Sequence, residues 1–298
     1  MCGVTWSLDH ARRSPGTFHG AKDGALPATI GAGSAPGESG VSVLSARFKG
    51  AIQVSATSRR RHHVFFSLSR QLRYQCRLAG RSLSHEPPPG SLAVCPAESD
   101  YGADADGSAE AIVVSVDPGR LALAAAEDSE IEAQLIDRFS GDDQALLDFA
   151  RTLASESAAG FPNGPLFWNE IASAFIDGLL ARHTVRFNGR TKGILGKEVF
   201  RQLRDYILAN LHEPIEVAAL AGIAGRSEFH FTRVFTRSVG MSPHRYVVHL
   251  RLQRAIELMR DGQSGLAEIA ASTGFADQSH LSRWVRRVHG VSPTQLAA

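Results

Sequence analysis

The spacing of apolar positions changes along the chain and divides it into parts. From about Val41 to Leu123, short alternating or β-branched runs are separated by turn residues; they read "VSVLSARF", "HHVFFSLS", "SLAVCP" and "AEAIVVSVDP". This pattern predicts several short strands in a small barrel or sandwich. Residues 1–40 are rich in Gly, Ala, Ser and Pro without sustained periodicity, which predicts a flexible leader.

Helical spacing follows the strand pattern. It predicts helices over about 128–139, 142–158 and 165–183. The third helix carries a wide apolar stripe, and either packing on its own core or a dimer face would account for it. Residues 184–198 are polar, basic and Gly-rich, which is typical of a linker. The rest of the chain has the pattern of helices joined by turns.

Two segments in this last part share the same pattern of apolar, polar and glycine positions. They read "GRSEFHFTRVFTRSVGMSP" at 225–243 and "GFADQSHLSRWVRRVHGVSP" at 274–293, and the second turn is one residue longer. A few residues before each segment, a small residue follows an apolar one where two helices would cross (Leu220-Ala221 and Ile269-Ala270). Each segment therefore predicts a helix-turn-helix.

Turn and cap residues match between the copies. Gly225 and Gly274 are placed to end the first helix in a left-handed conformation. Ser227 and Asp277 are candidate N-caps of the second helix. The segment between the copies starts at Pro243 after Ser242 and continues for about 18 residues, so we expect a stiff spacer of about 27 Å. Such a spacer suits two recognition helices about one DNA turn (~34 Å) apart.

The second helix of each copy has an apolar face and a polar face. Arg, Gln, Ser and Thr on the polar face are the side chains that contact base edges and phosphates. A solvated amphipathic helix would also have such a face, but two matched copies favour DNA binding. Glu228 has two interpretations: it could accept a hydrogen bond from a cytosine amino group or stabilise the helix N-terminus as a first-turn acid.

Charge is divided unevenly along the chain. From Arg186 onward there are 16 Lys and Arg against 9 Asp and Glu, a net of +7, whereas the remainder carries 16 against 21, a net of −5. A chance bias of surface charge would give the same split, but it also fits a C-terminal part that meets a polyanion.

The duplicated segments resemble the DNA-binding domain of the AraC/XylS family of bacterial transcription regulators. In two places the sequence departs from that family: Val285 stands at a usually aromatic position, and Leu296 where Tyr is frequent. The resemblance implies that two recognition helices enter adjacent major-groove segments. The DNA-binding residues that it implies are Glu228, Phe229, Thr232, Arg233, Arg237, Gln278, Ser279, His280, Ser282, Arg283 and Arg286.

The strand-rich half resembles, more weakly, the cupin-like sensor and dimerisation domain of the same family, on "HEPPPGSLAVCP" and "AIVVSVDPGRLALAAAE". The implied fold is α+β and multidomain, with a cupin-like β-barrel and dimerisation helices before an all-α domain of two helix-turn-helix units. The expected bounds are a flexible leader at 1–40, a sensing and dimerisation domain at 41–183, a linker at 184–197 and an AraC-type DNA-binding domain at 198–298.

Enzyme chemistry finds little support in the sequence. His62 and His63 are adjacent, so on a strand they would point to opposite faces, and no Glu follows at metal-ligand spacing. The run Arg59–His63 is interpreted as a solvated strand start, with an anion clamp or a metal site as alternatives. Cys2, Cys76 and Cys95 are odd in number and scattered, and the last two are expected to be buried small hydrophobes.

These observations predict a non-enzymatic, cytoplasmic transcription regulator without cofactor, metal or catalytic residues. Its expected partners are double-stranded DNA, a small-molecule effector whose binding residues are unknown, RNA polymerase and a second copy of the chain. No apolar run reaches the ~18–20 residues that a membrane span needs. Two other hypotheses remain: a barrel that only dimerises or binds a protein partner, and a barrel enzyme fused to a DNA-binding tail.

Overall fold

The computed structural model describes residues 28–35, 37–48, 52–57, 61–70, 72–105, 107–127, 133–186 and 193–297. Outside these ranges lie most of the predicted leader, the middle of the predicted linker, and the residues Cys2, Arg59 and Arg60. The chain forms two compact units. The first unit takes in the described residues up to Ala35, from Gly40 to Pro118 and from Leu135 to Val185; the second takes in Pro36–Ser39, Gly119–Gln134 and Arg186–Ala298.

Strands dominate the first unit. Their bounds are β1 Ala28–Gly33, β2 Val41–Phe48, β3 Ile52–Thr57, β4 His62–Ser67, β5 Tyr74–Leu78, β6 Arg81–His85, β7 Leu92–Cys95, β8 Asp100–Ala105, β9 Ala109–Val116, β10 Ala133–Leu135, β11 Arg138–Gly141 and β12 Thr184–Arg186. One sheet has the order β1-β2-β9-β4-β7-β11 and a second has the order β3-β8-β5-β6. The four apolar runs singled out in the sequence form β2, β4, β7 and β9, as predicted.

Each face of the six-stranded sheet packs on a different partner. Phe66 faces a helix, and its ring lies edge-on to Phe175 with centroids 6.4 Å apart. Phe65, the next residue, points the other way and stacks on Tyr101 of β8 with centroids 4.6 Å apart. The two sheets therefore face each other as in a sandwich. The described strands do not close into one barrel, so the cupin-type barrel is not confirmed.

Helices occupy the remaining chain. Their bounds are α1 Pro118–Glu127, α2 Gln144–Ala158, α3 Gly164–His183, α4 Lys197–Ala209, α5 Val217–Ile223, α6 Glu228–Val239, α7 Pro243–Asp261, α8 Leu266–Ser272, α9 Gln278–His289 and α10 Pro293–Ala297. The helices predicted at 142–158 and 165–183 are confirmed as α2 and α3.

Two sequence predictions are wrong for the described residues. The helix predicted over about 128–139 does not form, since 133–135 and 138–141 are strands, and β11 pairs with β7 as the edge strand of the six-stranded sheet. Tertiary pairing overrides a locally ambiguous apolar pattern there. The flexible leader predicted to residue 40 is ordered from Ala28, because β1 pairs with β2 in antiparallel register.

A buried carboxylate joins α2 and α3. Asp143 caps α2 by accepting a hydrogen bond from the Leu146 amide at 3.1 Å, and it also binds Arg182 Nε at 2.6 Å and His183 Nε2 at 2.9 Å. Burial by itself would raise the pKa of Asp143, but the hydrogen bonds from Arg182 and His183 outweigh it and the pKa is lowered. The start of α2 is thus tied to the end of α3.

The histidine pair on β4 is not solvated, which corrects the strand-start interpretation. His63 is buried, and its Nδ1 lies 2.8 Å from Ser115 Oγ. His62 Nδ1 accepts a hydrogen bond from the Ala97 amide at 2.9 Å. Burial lowers the pKa of both imidazoles to about 4. Both rings are therefore neutral structural groups at neutral pH.

We predict that acid destabilises the first unit through these histidines. Their pKa is about 4 when folded but about 6.5 when unfolded, so between these values the unfolded chain binds more protons. As the pH is lowered through this window, the free energy of unfolding should therefore decrease. The decrease should be at most about 1.4 kcal/mol per pH unit for each histidine. Urea unfolding of the full chain near pH 7 and pH 5 (about two units apart) should show a smaller pH effect in His63→Gln than in the wild type. His244→Gln, at an exposed position, is the control, and an unchanged pH effect in His63→Gln would contradict the prediction.

Other expectations concern metals, thiols and membranes. Cys76 and Cys95 are buried free thiols, as predicted, and burial raises the pKa of both. Within the ranges given above, no three His, Cys, Asp or Glu side chains are grouped so that they could hold a metal ion. In the same ranges no helix combines the length and apolarity that a membrane crossing requires.

Candidate nucleic-acid interface

The first helix-turn-helix consists of α5 and α6. Leu220 and Ala221 of α5 are buried at 1% and 2% exposure, where the sequence placed the helix crossing. Phe231 and Phe235 of α6 are fully buried, and their rings lie 5.4 Å apart. They belong to a core shared with α4 and α7, in which Tyr246 packs 5.5 Å from Phe235. The apolar face of α6 is thus fixed, and its opposite face points to solvent.

The second helix-turn-helix, α8 and α9, repeats this arrangement. Ile269 and Ala270 are buried on α8, and Leu281 and Val285 are fully buried on α9. Val285, which replaces a usual aromatic residue, therefore still occupies a core position. Leu296 on α10 is also buried, at 8% exposure. The two departures from the family pattern are both accommodated in the core.

The turns have the predicted backbone conformation. Gly225 and Gly274 have φ of +61° and +75°, the left-handed region that favours glycine. The N-cap prediction holds only for the second copy: Asp277 accepts a hydrogen bond from the His280 amide at 2.7 Å, whereas the side chain of Ser227 makes no cap hydrogen bond. The two recognition helices therefore start with different local support.

This difference predicts unequal effects of alanine. Asp277→Ala removes a formed N-cap bond and should lower the free energy of unfolding by about 1 kcal/mol. Ser227→Ala is the matched control and should cost less than about 0.5 kcal/mol, since no cap bond is lost. Urea unfolding of the two full-length variants gives both values. Equal losses in the two variants would show that the Asp277 N-cap hydrogen bond does not add to the free energy of unfolding.

The exposed face of α6 is an open surface formed by six side chains of this one helix. These residues are Glu228, Phe229, Thr232, Arg233, Thr236 and Arg237. Five of these are the predicted DNA contacts of the first copy, and Thr236 adds to them. Phe229 is 79% exposed, which is unusual for an aromatic side chain and gives the helix N-terminus an apolar tip. The face thus joins an apolar tip, a carboxylate and two guanidinium groups.

The face of α9 is more basic. Gln278, Ser279, Arg283 and Arg286 are exposed, and Ser282 is half-buried. The guanidinium groups of Arg233 on α6 and of Arg283 and Arg286 on α9 form no ion pair or hydrogen bond with the described part of the chain. Guanidinium groups without an internal partner are available to guanine edges or phosphates.

His280 differs from the other predicted contacts. It is half-buried, and its Nε2 accepts a hydrogen bond from Trp284 Nε1 at 3.0 Å. Its ring also lies edge-on to Phe275, with centroids 5.5 Å apart. The side chain is therefore engaged within its own helix-turn-helix rather than presented like Arg283.

Comparison with known proteins also identifies helix-turn-helix sequence in this part of the chain. Residues 220–298 match the family model described as a helix-turn-helix domain. This part of the chain is an AraC-type helix-turn-helix domain.

Relatives of the AraC-type domain are named as regulators. A probable transcriptional regulator LumQ of Photobacterium leiognathi is 36% identical over 91 residues, which cover 30% of this chain and 37% of LumQ. The transcriptional regulator GbdR of Pseudomonas aeruginosa strain UCBPP-PA14 is 35% identical over 85 residues, covering 28% of this chain and 23% of GbdR. A solved structure of a probable AraC family transcriptional regulator from Rhodopseudomonas palustris CGA009 is 32% identical, with a TM-score of 0.31, covering 34% of this chain and 94% of that one. The match thus spans well under half the length of these two curated relatives.

The spacer between the two copies in the AraC-type domain is α7. It begins at Pro243, with Ser242 Oγ accepting from the Arg245 amide, and ends at Asp261 before Gly262. Nineteen residues give a helix of about 28 Å. The helix predicted between the two copies is confirmed, with the predicted start and length.

Three features of the AraC-type domain were not foreseen from the sequence. The Arg287 guanidinium lies over the Trp284 ring, 5.1 Å from its centroid. Burial, with Arg120 nearby, lowers the pKa of His289 to about 4, so this imidazole adds no charge to the basic end of α9 at pH 7. Glu38, far away in the sequence, binds Arg245 and Arg287. Helical periodicity carries no signal for such long-range pairs.

Proposed function

We propose that this protein is a sequence-specific DNA-binding transcription regulator in which α6 and α9 enter successive major-groove segments of one DNA face. The observation that supports it most directly is the pair of exposed helix faces, one in each copy, with arginines that have no partner in the described chain. The net charge of +7 from Arg186 onward adds long-range attraction to a polyanion.

The side chains suggest a division of roles. Arg233 and Arg283 would bind guanine O6 and N7, and Gln278 would pair with adenine. Phe229 would contact a thymine methyl group. Glu228 retains two roles, as an acceptor for a cytosine amino group or as a first-turn acid that stabilises α6.

The predicted DNA-binding residues that are not assigned to bases would position the helices on the DNA. The hydroxyl and basic groups among them suit phosphate oxygens, which fix the register without reading the sequence. These residues are Thr232, Arg237, Ser279, Ser282 and Arg286. We assign His280 to support of α9, since its Nε2 is occupied by Trp284.

For the first unit we propose a cupin-like sensor that binds a small-molecule effector and forms a homodimer. A specific observation favours the alternative, a module that only dimerises or binds a protein partner: Phe65 and Tyr101 stack on each other between the two sheets and occupy part of the space there. Native mass spectrometry of the protein purified from its own cytoplasm would distinguish the two. A bound small molecule at one per chain supports the sensor, and a dimer without added mass supports the alternative.

The proposal includes a cytoplasmic location, contact with RNA polymerase and no catalytic activity. These parts rest on the resemblance of the C-terminal domain to transcription regulators. The relatives resemble about a third of this chain. The exposed side chains of α6 and α9 give direct support to the DNA interface.

Selection from a pool of random duplexes by the full-length protein tests the DNA-binding proposal. We expect enrichment of a sequence with two boxes about one helical turn (~10 base pairs) apart. A salt titration of the enriched duplex should give a steep slope, because several basic groups displace counterions. Binding that is weak and independent of sequence would refute the proposal.

A further inference from the structure

Two segments from the N-terminal half of the chain belong to the unit that contains the AraC-type domain. They are residues 37–39 and residues 119–127, which make up most of α1. Both are followed and preceded in the sequence by residues of the first unit. We define them together as the two inserted segments.

The α1 segment completes the core around the first helix-turn-helix. Leu123 and Ala126 are buried at 1% and 0% exposure in the same cluster as Phe200, Tyr246 and Leu250. The backbones approach closely as well: a β-carbon on Gly240, which ends α6 with φ of +77°, would collide with backbone atoms of Gly119. Such contact matches that of an integral core helix rather than a loosely docked one.

A carboxylate at the end of α1 holds the spacer helix. Glu127 Oε1 accepts hydrogen bonds from His249 Nε2 at 2.9 Å and Gln253 Nε2 at 2.8 Å, side chains one turn apart on α7. Its backbone carbonyl accepts from Arg204 Nη1 of α4 at 2.7 Å. Although burial would raise the pKa of Glu127, the hydrogen bond and charge of His249 outweigh it and the pKa is lowered. The group therefore binds α7 as an anion.

The shorter segment bridges the two copies. Glu38 Oε2 binds Arg245 Nη2 at 2.6 Å at the start of α7, and Glu38 Oε1 binds Arg287 Nε at 2.9 Å near the end of α9. The Glu38 amide donates to the Val288 carbonyl at 2.9 Å. One residue thus links the helix that follows the first recognition helix to the second recognition helix itself.

The inserted segments also meet each other. Arg120 Nε donates to the Ser39 carbonyl at 3.2 Å. Next to them in the sequence, the Asp117 amide donates to the Gly40 carbonyl, and Val41 pairs with Val116 where β2 and β9 meet.

We propose that the two inserted segments form a coupling device: seated, they fix α7 and α9 and hold the two recognition helices at the spacing that binds two boxes at once. The segments leave Arg233, Arg283 and Arg286 without a partner, so the seated state keeps the recognition faces open. Loss of the Glu38 and Glu127 bonds loosens the hold on α7 and α9 and reduces two-box affinity while single-box binding persists. This inference rests on the proposed DNA-binding function and names the contacts that would set its two-box affinity.

The test uses the full chain with Glu38→Gln, Glu127→Gln and the double variant. Glu257→Gln is the matched control, because it removes the same charge from an exposed α7 residue whose partner is Arg254 on the same helix. Loss of a negative charge near DNA by itself would strengthen binding. We expect the opposite: the double variant should bind the two-box duplex about tenfold or more weaker than Glu257→Gln, within the range of allosteric coupling, and a single-box duplex equally well.

Hydrogen exchange provides a second readout that needs no DNA. The double variant should exchange faster than Glu257→Gln in 118–127, in α7 and in the end of α9, with α2 and α3 unchanged. If wild-type protein selects no two-box sequence, the proposed function fails. If it does, but the double variant matches Glu257→Gln in two-box affinity and exchange, the coupling device is wrong and the proposed function stands.

Discussion

Arg233→Ala and Arg283→Ala are each expected to weaken binding to the selected duplex by about 1–3 kcal/mol and to relax the base preference in one box. Each guanidinium is exposed, has no partner in the described chain and lies on the outer face of a recognition helix. In the proposed function the two boxes are read by different helices, so the double variant should lose about the sum of the two, near 2–6 kcal/mol.

Arg201→Ala provides the control for general electrostatics. Arg201 is an exposed arginine of α4 that pairs with Glu198 at 2.6 Å on its own helix. Its loss should weaken binding to selected and random duplexes alike and by little. The quantity to compare is the ratio of selected to random affinity. An unchanged ratio in both Arg233→Ala and Arg283→Ala would show that neither side chain reads a base.

Gly274→Ala is expected to lower the free energy of unfolding of the second unit by about 2–5 kcal/mol. The left-handed backbone at φ +75° costs an L-residue about 1–2 kcal/mol. In addition, a β-carbon there would collide with the Leu211 carbonyl oxygen and come within 2.8 Å of the Arg251 guanidinium. Relief of such a collision costs about 1–3 kcal/mol more.

Gly225→Ala is a matched control within the same molecule. Gly225 occupies the equivalent turn of the first copy with φ +61°, but no atom lies within 4 Å of its added β-carbon. Only the backbone cost of about 1–2 kcal/mol applies. Urea unfolding followed by far-ultraviolet circular dichroism measures both variants. Equal losses would mean that the close approach to Leu211 does not constrain the second turn.

The sequence predicted the AraC-type domain well because its signals are local. Left-handed glycines, Asp277 as an N-cap, Pro243 at a helix start and apolar residues at helical spacing each act within a few residues. The same signals placed the polar faces of α6 and α9. Ser227 shows their limit: the residue type suits an N-cap, but its side chain makes no cap bond.

Long-range pairing explains what the sequence did not predict. Residues 133–141 have apolar spacing that fits either helix or strand, and β11 is selected by its pairing with β7. His62 and His63 look polar in the sequence, yet partners more than 30 residues away, Ala97 and Ser115, make their burial possible. Glu38 reaches its arginines across more than 200 residues, which periodicity cannot reveal.

The central claim is that one chain reads two boxes on one DNA face through a stiff spacer, α7. The most direct measurement is the affinity of the full-length protein for the selected duplex with about half a turn (~5 base pairs) inserted between the boxes. We predict that affinity falls to that of a single-box duplex, because a rigid helix of about 28 Å cannot follow the box to the opposite face. Full affinity for the duplex with the insertion would contradict the claim.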